Sequence, residues 1–490
     1  MPGPSPSPDI VLILTDQWNP RMMGCYGDAT VRTPHLDRLA RAGMRFDNAY
    51  ASSPVCMPAR CSLVSGQFPH RHGFWNNFTG LKFPADRVTL FHALREQGYT
   101  TAKIGKYHLF NPEAGEDHRD HGDYYDALGL DWAQELPTPY MGPYLRNEYT
   151  RFLAERGMLQ PYIDDIAERF VGGDHHVVRP SCLDPDEHID GYVARQAERY
   201  IKACTRERPM FLCVSFPGPH TPFDAPRPYS DMYDPESMTL APNVPATTSQ
   251  GHDHVHIRRM QANYFGKLTH LDDRVGALLQ ALDRRGNLAN TLVLFAADHG
   301  EYLGSHGRHG KGDFHEESAR IPLLMHWPER IRPHRTCAAP VSWLDLYATV
   351  LHAAGRDDHS TPSRESLLPL ATSACEPMRE AVFSEIGNRQ GFNFMVRVGD
   401  HKWFLTNGVE SLFHLSCDPY EQHNLAEEAG TSDLRLDMRE RLLQFLMSDQ
   451  ENHAAGYLPL FQRMGLQVSG QEDAYAFLRS RFSRIHRLEP

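Results

Sequence analysis

Short apolar runs that end in polar residues alternate with amphipathic segments along the first three quarters of the chain. The run from Asp9 to Asp16 contains the apolar stretch Ile-Val-Leu-Ile-Leu and stops at Thr15. Apolar runs of this length are typical of strands buried on both faces, and amphipathic stretches are typical of helices. Further strands are predicted at 44–50, 100–104, 209–215, 291–296 and 322–325, and helices at 33–43, 88–97, 189–203, 260–285 and 342–354. The alternation predicts an α/β fold with a large, mainly parallel sheet flanked by helices.

Two regions depart from this pattern. Residues 111–186 are rich in Tyr, Asp, Glu, Gly and Pro, and we interpret them as an insertion that covers or shapes a pocket. Short strands at 381–385, 394–399, 402–406 and 411–415, followed by a helix at 433–449, predict a small antiparallel sheet plus helix. We therefore divide the chain into an α/β domain over 1–375, a C-terminal α+β subdomain over 376–455 and a tail over 456–490. The tail is either an arm that forms a homo-oligomer, which we expect, or a frayed end.

Composition narrows the classes of partner. The 490-residue chain carries a net charge of −12, whereas general binders of nucleic acid or membrane surfaces are usually basic. We therefore expect neither partner. No apolar run approaches the length of a membrane span or of a signal-peptide core, so a cytoplasmic location is expected. Nine cysteines without regular spacing or a C-x-x-C pair predict mostly free thiols rather than a disulfide framework or a zinc site.

Polar residues follow several predicted strands, at the sheet edge where α/β folds bind ligands. Asp16 and Gln17 follow the first strand, and Asp298 and His299 follow the strand at 291–296. Carboxylate oxygens suit Ca²⁺, Mg²⁺ or Mn²⁺, although aspartates also cap turns and helices. Because both pairs lie at the same predicted edge, we favour a metal site over two separate caps.

The segment Cys56-Met-Pro-Ala-Arg60 predicts a nucleophile. Pro58 suits the first turn of a helix, which places Cys56 at a helix N-terminus, where the helix dipole favours developing negative charge. The alternative is a structural cysteine beside an arginine that is exposed to solvent.

This segment resembles the C-x-P-x-R motif of the type I sulfatases of the alkaline phosphatase superfamily, and Cys61-Ser-Leu-Val-Ser-Gly66 continues it in the family's manner. The resemblance implies that a maturation enzyme oxidises Cys56 to formylglycine, whose hydrate is a geminal diol. One oxygen of the diol, activated at the metal, attacks the sulfur of the substrate. The other oxygen lets the covalent ester collapse and release sulfate.

The metal set implied by the resemblance comprises Asp16, Gln17, Cys56, Asp298 and His299. Lysosomal sulfatases carry Asp-Asp and Asp-Asn at the two strand ends. The pairs found here look more like those of choline sulfatases, some bacterial arylsulfatases and phosphonate monoester hydrolases. We expect one divalent ion: the oxygen ligands suit Ca²⁺, the nitrogen ligand makes Mn²⁺ equally suitable, and Mg²⁺ is an alternative.

Cationic residues complete the resemblance. Gly105-Lys106-Tyr107-His108 resembles the family's G-K-W-H motif, and His220 and Lys311 match its later active-site histidine and lysine. Together with Arg60, such donors stabilise the negative charge of a sulfate-ester transition state, and a histidine can protonate the leaving oxygen. Asn77 lies where the family often has a substrate contact. The segments Glu317-Ser-Ala-Arg-Ile-Pro-Leu323 and 413–425 extend the resemblance into the C-terminal part.

The leading interpretation is therefore a sulfatase acting on small aryl or alkyl sulfate esters. The alternative within enzymes is a phosphonate monoester or phosphodiester hydrolase with the same nucleophile. Those enzymes tend to carry Tyr and Thr in the segment of Lys106 and His108, so the residues found here favour a sulfatase. A catalytically inactive relative would have lost part of the set, and none of it is missing.

Overall fold

The computed structural model describes residues 7–77, 82–111, 116–170, 176–356, 364–373, 378–388 and 390–448. The predicted arm over 456–490 lies outside the described residues. The strands are β1 Asp9–Asp16, β2 Met44–Phe46, β3 Ala49–Tyr50, β4 Thr100–Gly105, β5 Trp132–Glu135, β6 Met210–Pro219, β7 Thr291–Ala297, β8 Arg320–Ile321, β9 Leu323–His326, β10 Arg335–Cys337, β11 Val341–Ser342, β12 Ala381–Asn388, β13 Gly391–Val398, β14 His401–Thr406 and β15 Val409–His414. The α-helices are α1 Pro34–Ala42, α2 Cys56–Ser65, α3 Pro69–His72, α4 Leu90–Glu96, α5 Gly122–Ala127, α6 Glu148–Glu155, α7 Leu159–Arg169, α8 Ile189–Ala203, α9 His254–Arg285, α10 Glu316–Ala319, α11 Asp345–Ala353, α12 Leu368–Thr372 and α13 Ser432–Ser448.

The large sheet has eight strands in the order β10-β2-β9-β7-β1-β6-β4-β5. The strands β7, β1, β6, β4 and β5 run parallel, and only β9 is antiparallel to both of its neighbours among these described strands. The predicted mainly parallel sheet is confirmed. A second sheet joins β11, β3 and β8.

Strand β1 explains why the apolar run in the sequence has no alternation. Ile10, Leu12 and Leu14 belong to the hydrophobic core on one face of the sheet, and Val11 and Ile13 belong to the core on the other face. A central strand covered on both faces must be apolar at every position. The first polar positions therefore fall where the strand leaves the sheet.

Some boundaries differ from the prediction. The predicted strand over 44–50 is two short strands, β2 and β3, which enter different sheets. Helix α9 begins at His254 because the Asp253 carboxylate caps its first turn, accepting the His256 N–H at 2.8 Å. Polar residues in that first turn hide it from an analysis of apolar periodicity. The segment interpreted as an insertion contributes β5, at the edge of the main sheet, and helices α5 to α7.

The C-terminal part forms the antiparallel sheet β12-β13-β14-β15 with α13 packed against it, as predicted. Phe445 of α13 stacks on Phe383 at 3.9 Å between ring centroids and meets Phe68 edge-on at 4.9 Å. On the other side, the Glu385 N–H of β12 donates to the Ser52 carbonyl at 2.9 Å. The small sheet is thereby fixed against the segments on both sides of α2.

Two further expectations concern cysteines and membranes. Among the described residues, seven cysteines are free thiols, in keeping with the expectation of mostly free thiols, and Cys337 is disulfide-bonded. Among the described helices, none combines the length and the apolar character needed to cross a lipid bilayer.

Candidate active site

The carboxyl ends of four parallel strands bring the predicted residues to one edge of the main sheet. Asp16 ends β1, Lys106 follows β4, His220 follows β6 and Asp298 follows β7. Gly105, before Lys106, has a φ of 100°, and a Cβ atom there would lie 2.0 Å from the Ser215 carbonyl oxygen. Only glycine allows β4 to leave the sheet so close to β6.

The nucleophile candidate faces this edge from the first turn of α2. Val55, at the N-cap, provides no side-chain cap, and the Asn77 side-chain oxygen Oδ1 instead accepts the Met57 N–H at 2.9 Å. Cys56 is buried, with 1% of its surface exposed. Asn77 therefore supports the helix turn that presents Cys56, and its own side chain lies at the exposed rim of the site.

Four of the five predicted metal ligands form one buried cluster. Asp16, Cys56, Asp298 and His299 place their ligand atoms within 4.8 Å of one another. The Cys56 sulfur lies 3.1 Å from His299 Nε2 and 3.6 Å from Asp16 Oδ1. Two carboxylates and an imidazole, all buried, are a donor set that suits a divalent cation. The described residues therefore fit the predicted metal.

Gln17, the fifth predicted ligand, borders this cluster. Its backbone has a φ of 72°, and its N–H donates to Asp298 Oδ1 at 3.1 Å. Its side-chain oxygen accepts the Lys311 ammonium at 2.7 Å, and its amide nitrogen donates to Glu301. Glu301 also accepts the Gly310 N–H at 2.7 Å, so it ties Gln17 to the loop that carries Lys311.

Arg60 links several segments of the site from within, and only 1% of its surface is exposed. Its Nε donates to Asp298 Oδ2 at 2.7 Å, and its Nη1 donates to the Lys106 carbonyl at 2.6 Å and to Ser215 Oγ at 2.8 Å. One guanidinium thus holds β4, β6 and β7 in register around α2. This geometry excludes the alternative of an arginine exposed to solvent.

The charges around Asp16 and Cys56 compensate for their burial. Burial alone would raise the pKa of Asp16, but Lys106, whose ammonium contacts the carboxylate, and Lys311 hold that pKa well below its ordinary value. The Lys311 ammonium lies 2.9 Å from the Cys56 sulfur. Burial and Asp16 would raise the pKa of Cys56, yet Lys106 and Lys311 lower it well below the ordinary thiol value. The site therefore favours an anionic group at Cys56.

Two histidines border the same space. Burial and the neighbouring Lys106 lower the pKa of His108, whose Nε2 lies 2.8 Å from the Asn111 side-chain oxygen. Burial and the charge of Lys311 hold the pKa of His220 well below its ordinary value, and its Nδ1 lies 2.9 Å from the Thr221 carbonyl. Both imidazoles are therefore weaker bases than a solvent-exposed histidine, and an anion bound beside them would raise their pKa.

Sequence reasoning missed three residues that support this arrangement: Ser215, Glu301 and Lys267. Glu301 follows Asp298-His299-Gly300 directly, so its position beside the predicted pair was the available signal. Lys267 lies within the long helix α9 and donates to the His220 carbonyl at 2.7 Å. Nothing in its local sequence distinguishes it from a solvent-facing helical lysine.

Comparisons with known proteins agree with this geometry. Residues 8–356 match the family model described as Sulfatase, and residues 304–448 match the model for the N-sulphoglucosamine sulphohydrolase C-terminal region. The chain therefore belongs to the sulfatase family of the alkaline phosphatase superfamily, and it is an enzyme of the sulfuric ester hydrolase class.

Individual relatives carry names from the same class. The chain is 26% identical to an arylsulfatase of Clostridium perfringens over 92% of this chain and 96% of that protein. It is 30% identical to a choline-sulfatase of Rhizobium meliloti over 86% of this chain and 82% of that protein. The crystal structure of a phosphonate monoester hydrolase of Agrobacterium radiobacter shares the fold, with a TM-score of 0.74, 24% identity and coverage of 89% of this chain and 95% of that chain.

Proposed function

We propose that the protein hydrolyses small aryl or alkyl sulfate monoesters with a formylglycine nucleophile formed from Cys56 and one bound divalent metal ion. The observation that carries the proposal is the position of the Cys56 sulfur. It lies at the N-terminus of α2, 3.1 Å from His299 Nε2 and 2.9 Å from the Lys311 ammonium. The oxidised side chain would occupy this place with its oxygens among a metal-ligand set and two lysines.

Asp16, Asp298 and His299, together with Gln17 and the converted Cys56, would hold the ion, which we expect to be Ca²⁺ or Mn²⁺, with Mg²⁺ as the alternative. When bound, the ion supplies positive charge that favours the ionised nucleophile and the sulfate oxygens.

The chain's own residues perform the remaining work. The aldehyde of formylglycine adds water to give a geminal diol. One hydroxyl group of the diol loses its proton to solvent, and its oxygen then forms a bond to sulfur while the bond from sulfur to the leaving oxygen breaks. Lys106 and Lys311 stabilise the sulfate oxygens, and His220 or His108 donates a proton to the departing alcohol. The second hydroxyl then loses its proton, the aldehyde C=O re-forms and sulfate leaves.

The exposure of the site residues indicates the direction from which a substrate enters. Asp16, Asp298 and His299 are fully buried, whereas His108 and Lys311 are partly exposed and Asn77 is exposed. A substrate therefore approaches from the side of His108 and Lys311, with its sulfate toward the metal-ligand set. Its alcohol part then lies toward solvent beside the histidines, where a proton donor is needed.

A phosphonate monoester hydrolase with the same nucleophile is the second candidate, favoured by the fold that the chain shares with such enzymes. Lys106 and His108 favour a sulfate ester, because phosphonate monoester hydrolases tend to carry Tyr and Thr in that segment. A comparison of kcat/KM for p-nitrophenyl sulfate and for a phenyl phosphonate ester decides between the two. A higher value for the phosphonate ester would reverse the assignment.

The direct test is peptide mass spectrometry across Cys56, on protein produced together with a formylglycine-generating maturation enzyme under oxygen. We expect a mass decrease equal to the exchange of sulfur for oxygen with loss of two hydrogens, or the hydrate of that product. The Cys56→Ala variant should keep the fold and lose turnover. Full activity with an unmodified thiol, or in the alanine variant, would refute the mechanism.

A further inference from the structure

The loop that follows β5 leaves the main sheet beside the active site. Strand β5 ends at the same sheet edge as β4, and the Leu136 N–H donates to the Gly105 carbonyl at 3.1 Å. The Thr138 carbonyl accepts the Met141 N–H at 3.0 Å, which closes a turn around Tyr140. The segment interpreted as an insertion therefore carries Tyr140 out from the edge at which the site residues gather.

Tyr140 packs against His220, one of the two candidate proton donors. The ring centroids are 5.7 Å apart, and the ring planes are inclined by 34°. Phe170, which follows α7, contacts the Tyr140 ring as well, with 5.7 Å between centroids and an angle of 51°. The Tyr162 hydroxyl of α7 donates to the Pro139 carbonyl at 3.1 Å. The position of the Tyr140 ring is therefore fixed both by its own loop and by α7.

The exposure of the two stacked rings differs. His220 is buried, with 8% of its surface exposed, whereas Tyr140 is partly exposed. The Nδ1 atom of His220 lies 2.9 Å from the Thr221 carbonyl, so Nε2 is the nitrogen left to meet a leaving oxygen. A group carried on that oxygen lies next to the imidazole, and the open part of the Tyr140 ring is available to it.

We infer that Tyr140 contacts the alcohol part of the substrate and makes the enzyme prefer esters whose alcohol carries an aromatic ring. The inference rests on the proposed function, which places the leaving oxygen beside the histidines. Two aromatic rings in an offset or edge-on arrangement gain affinity beyond the burial of their area, by a factor of about 2 to 10. The preference is therefore a property of the loop after β5, and not of the residues that hold the sulfate group.

The test compares phenethyl sulfate with cyclohexylethyl sulfate, with the released sulfate measured by ion chromatography. The two alcohols have the same carbon skeleton and similar acidity, so they differ mainly in aromatic character. The wild type should have the higher kcat/KM for the phenethyl ester. In Tyr140→Leu, the ratio of the two kcat/KM values should fall about threefold or more. Because the contact is present before and during the reaction, the change should lie in KM rather than in kcat.

Two controls separate the ring from its hydroxyl and from its loop. Tyr140→Phe keeps the ring and should keep the wild-type ratio within about twofold. Tyr144→Leu is the matched control, since Tyr144 lies in the same connection between β5 and α6 and is likewise partly exposed. It should leave the ratio unchanged. If thermal unfolding shows that Tyr140→Leu does not fold, Tyr140→Met takes its place.

An unchanged ratio in the folded Tyr140 variant would overturn the inference, even if kcat/KM fell equally for both esters, because Tyr140 would then only position His220. An equal fall of the ratio in Tyr140→Phe or in Tyr144→Leu would also overturn it. Failure of the wild type to cleave either sulfate is a separate result, which counts against the proposed sulfatase function. The methylphosphonate monoesters of the same two alcohols then test Tyr140 through the same ratio, and no turnover of these esters would overturn the inference as well.

Discussion

Lys267, within α9, holds the segment that carries His220, and its removal should damage both stability and activity. Its ammonium is buried and donates to the carbonyls of His220 and Pro222 at 2.7 Å each and to Asp224 Oδ1 at 3.0 Å. From the other side, the Asp190 carboxylate accepts the Gly218 N–H at 2.8 Å. The perturbation is Lys267→Met, which keeps the length of the side chain and removes the charge.

The expected cost follows from what the variant leaves behind. Asp224 is fully buried, and a buried pair that loses one partner costs about 3–5 kcal/mol; because His188 Nε2 remains 3.6 Å from Asp224 Oδ2, we expect the lower end of this range. The carbonyls of His220 and Pro222 also lose their donor. Adding Asp224→Asn removes the stranded charge, so the double variant should recover at least about 1 kcal/mol relative to Lys267→Met alone.

Urea unfolding measures the free energy, and kcat/KM for p-nitrophenyl sulfate measures the effect on His220. Lys202→Met, at an exposed position on α8, is the control and should match the wild type in both. If Lys267 acts only on overall stability, kcat/KM measured well below the unfolding midpoint would be unchanged. A destabilisation below about 1 kcal/mol would refute the reasoning from buried charge.

Three further outcomes are expected. Burial would raise the pKa of Asp224, but Lys267 holds it well below its ordinary value of about 3.9. This ion pair therefore contributes its full stabilisation above that value, and the contribution is lost as the pH falls through the lower folded pKa. In Lys267→Met, the stranded carboxyl group instead takes up a proton as the pH falls. The difference in unfolding free energy from the wild type should therefore be smaller at about pH 5 than at about pH 7, and a larger difference at pH 5 would contradict the assignment. Phe445→Ala should destabilise by about 3 kcal/mol in urea unfolding because it removes the ring stacked on Phe383, while exposed Leu443→Ala on the same helix should not, and equal effects would contradict the packing. Treatment with a chelator should abolish sulfatase activity, and added Ca²⁺ or Mn²⁺ should restore it; activity that survives verified removal of metal would exclude a catalytic ion.

The strand ends were predictable because each follows directly from local sequence. A strand buried on both faces is apolar through its middle, so the first charged residues at the carboxyl ends of β1 and β7, Asp16 and Asp298, mark the edge of the sheet. The motif around Cys56 and Arg60 located the nucleophile in the same way. Local sequence and family motif together therefore predicted most of the cluster before any geometry was known.

The remaining features depend on contacts that no local pattern records. The antiparallel direction of β9 and the division of 44–50 between two sheets arise from pairing with distant strands. Trp18 and Tyr107 are fully buried and belong to the core, which the sequence around them does not show. A cytoplasmic location and homo-oligomer formation stay predictions of the sequence.

The net charge of the chain gives no guide to the charge of the site. The cations of Arg60, Lys106 and Lys311 balance the carboxylates of Asp16 and Asp298 and the anionic group favoured at Cys56, so a bound divalent ion would leave the cluster with excess positive charge. In a protein with a net charge of −12, this excess is local and buried, where charge acts most strongly. A sulfate monoester and a phosphonate monoester each bring one negative charge in a tetrahedral group, so the cluster itself attracts both. Discrimination must therefore come from residues around the leaving group, and His108, which is partly exposed and lies beside Asn111, is a position at which to look for it.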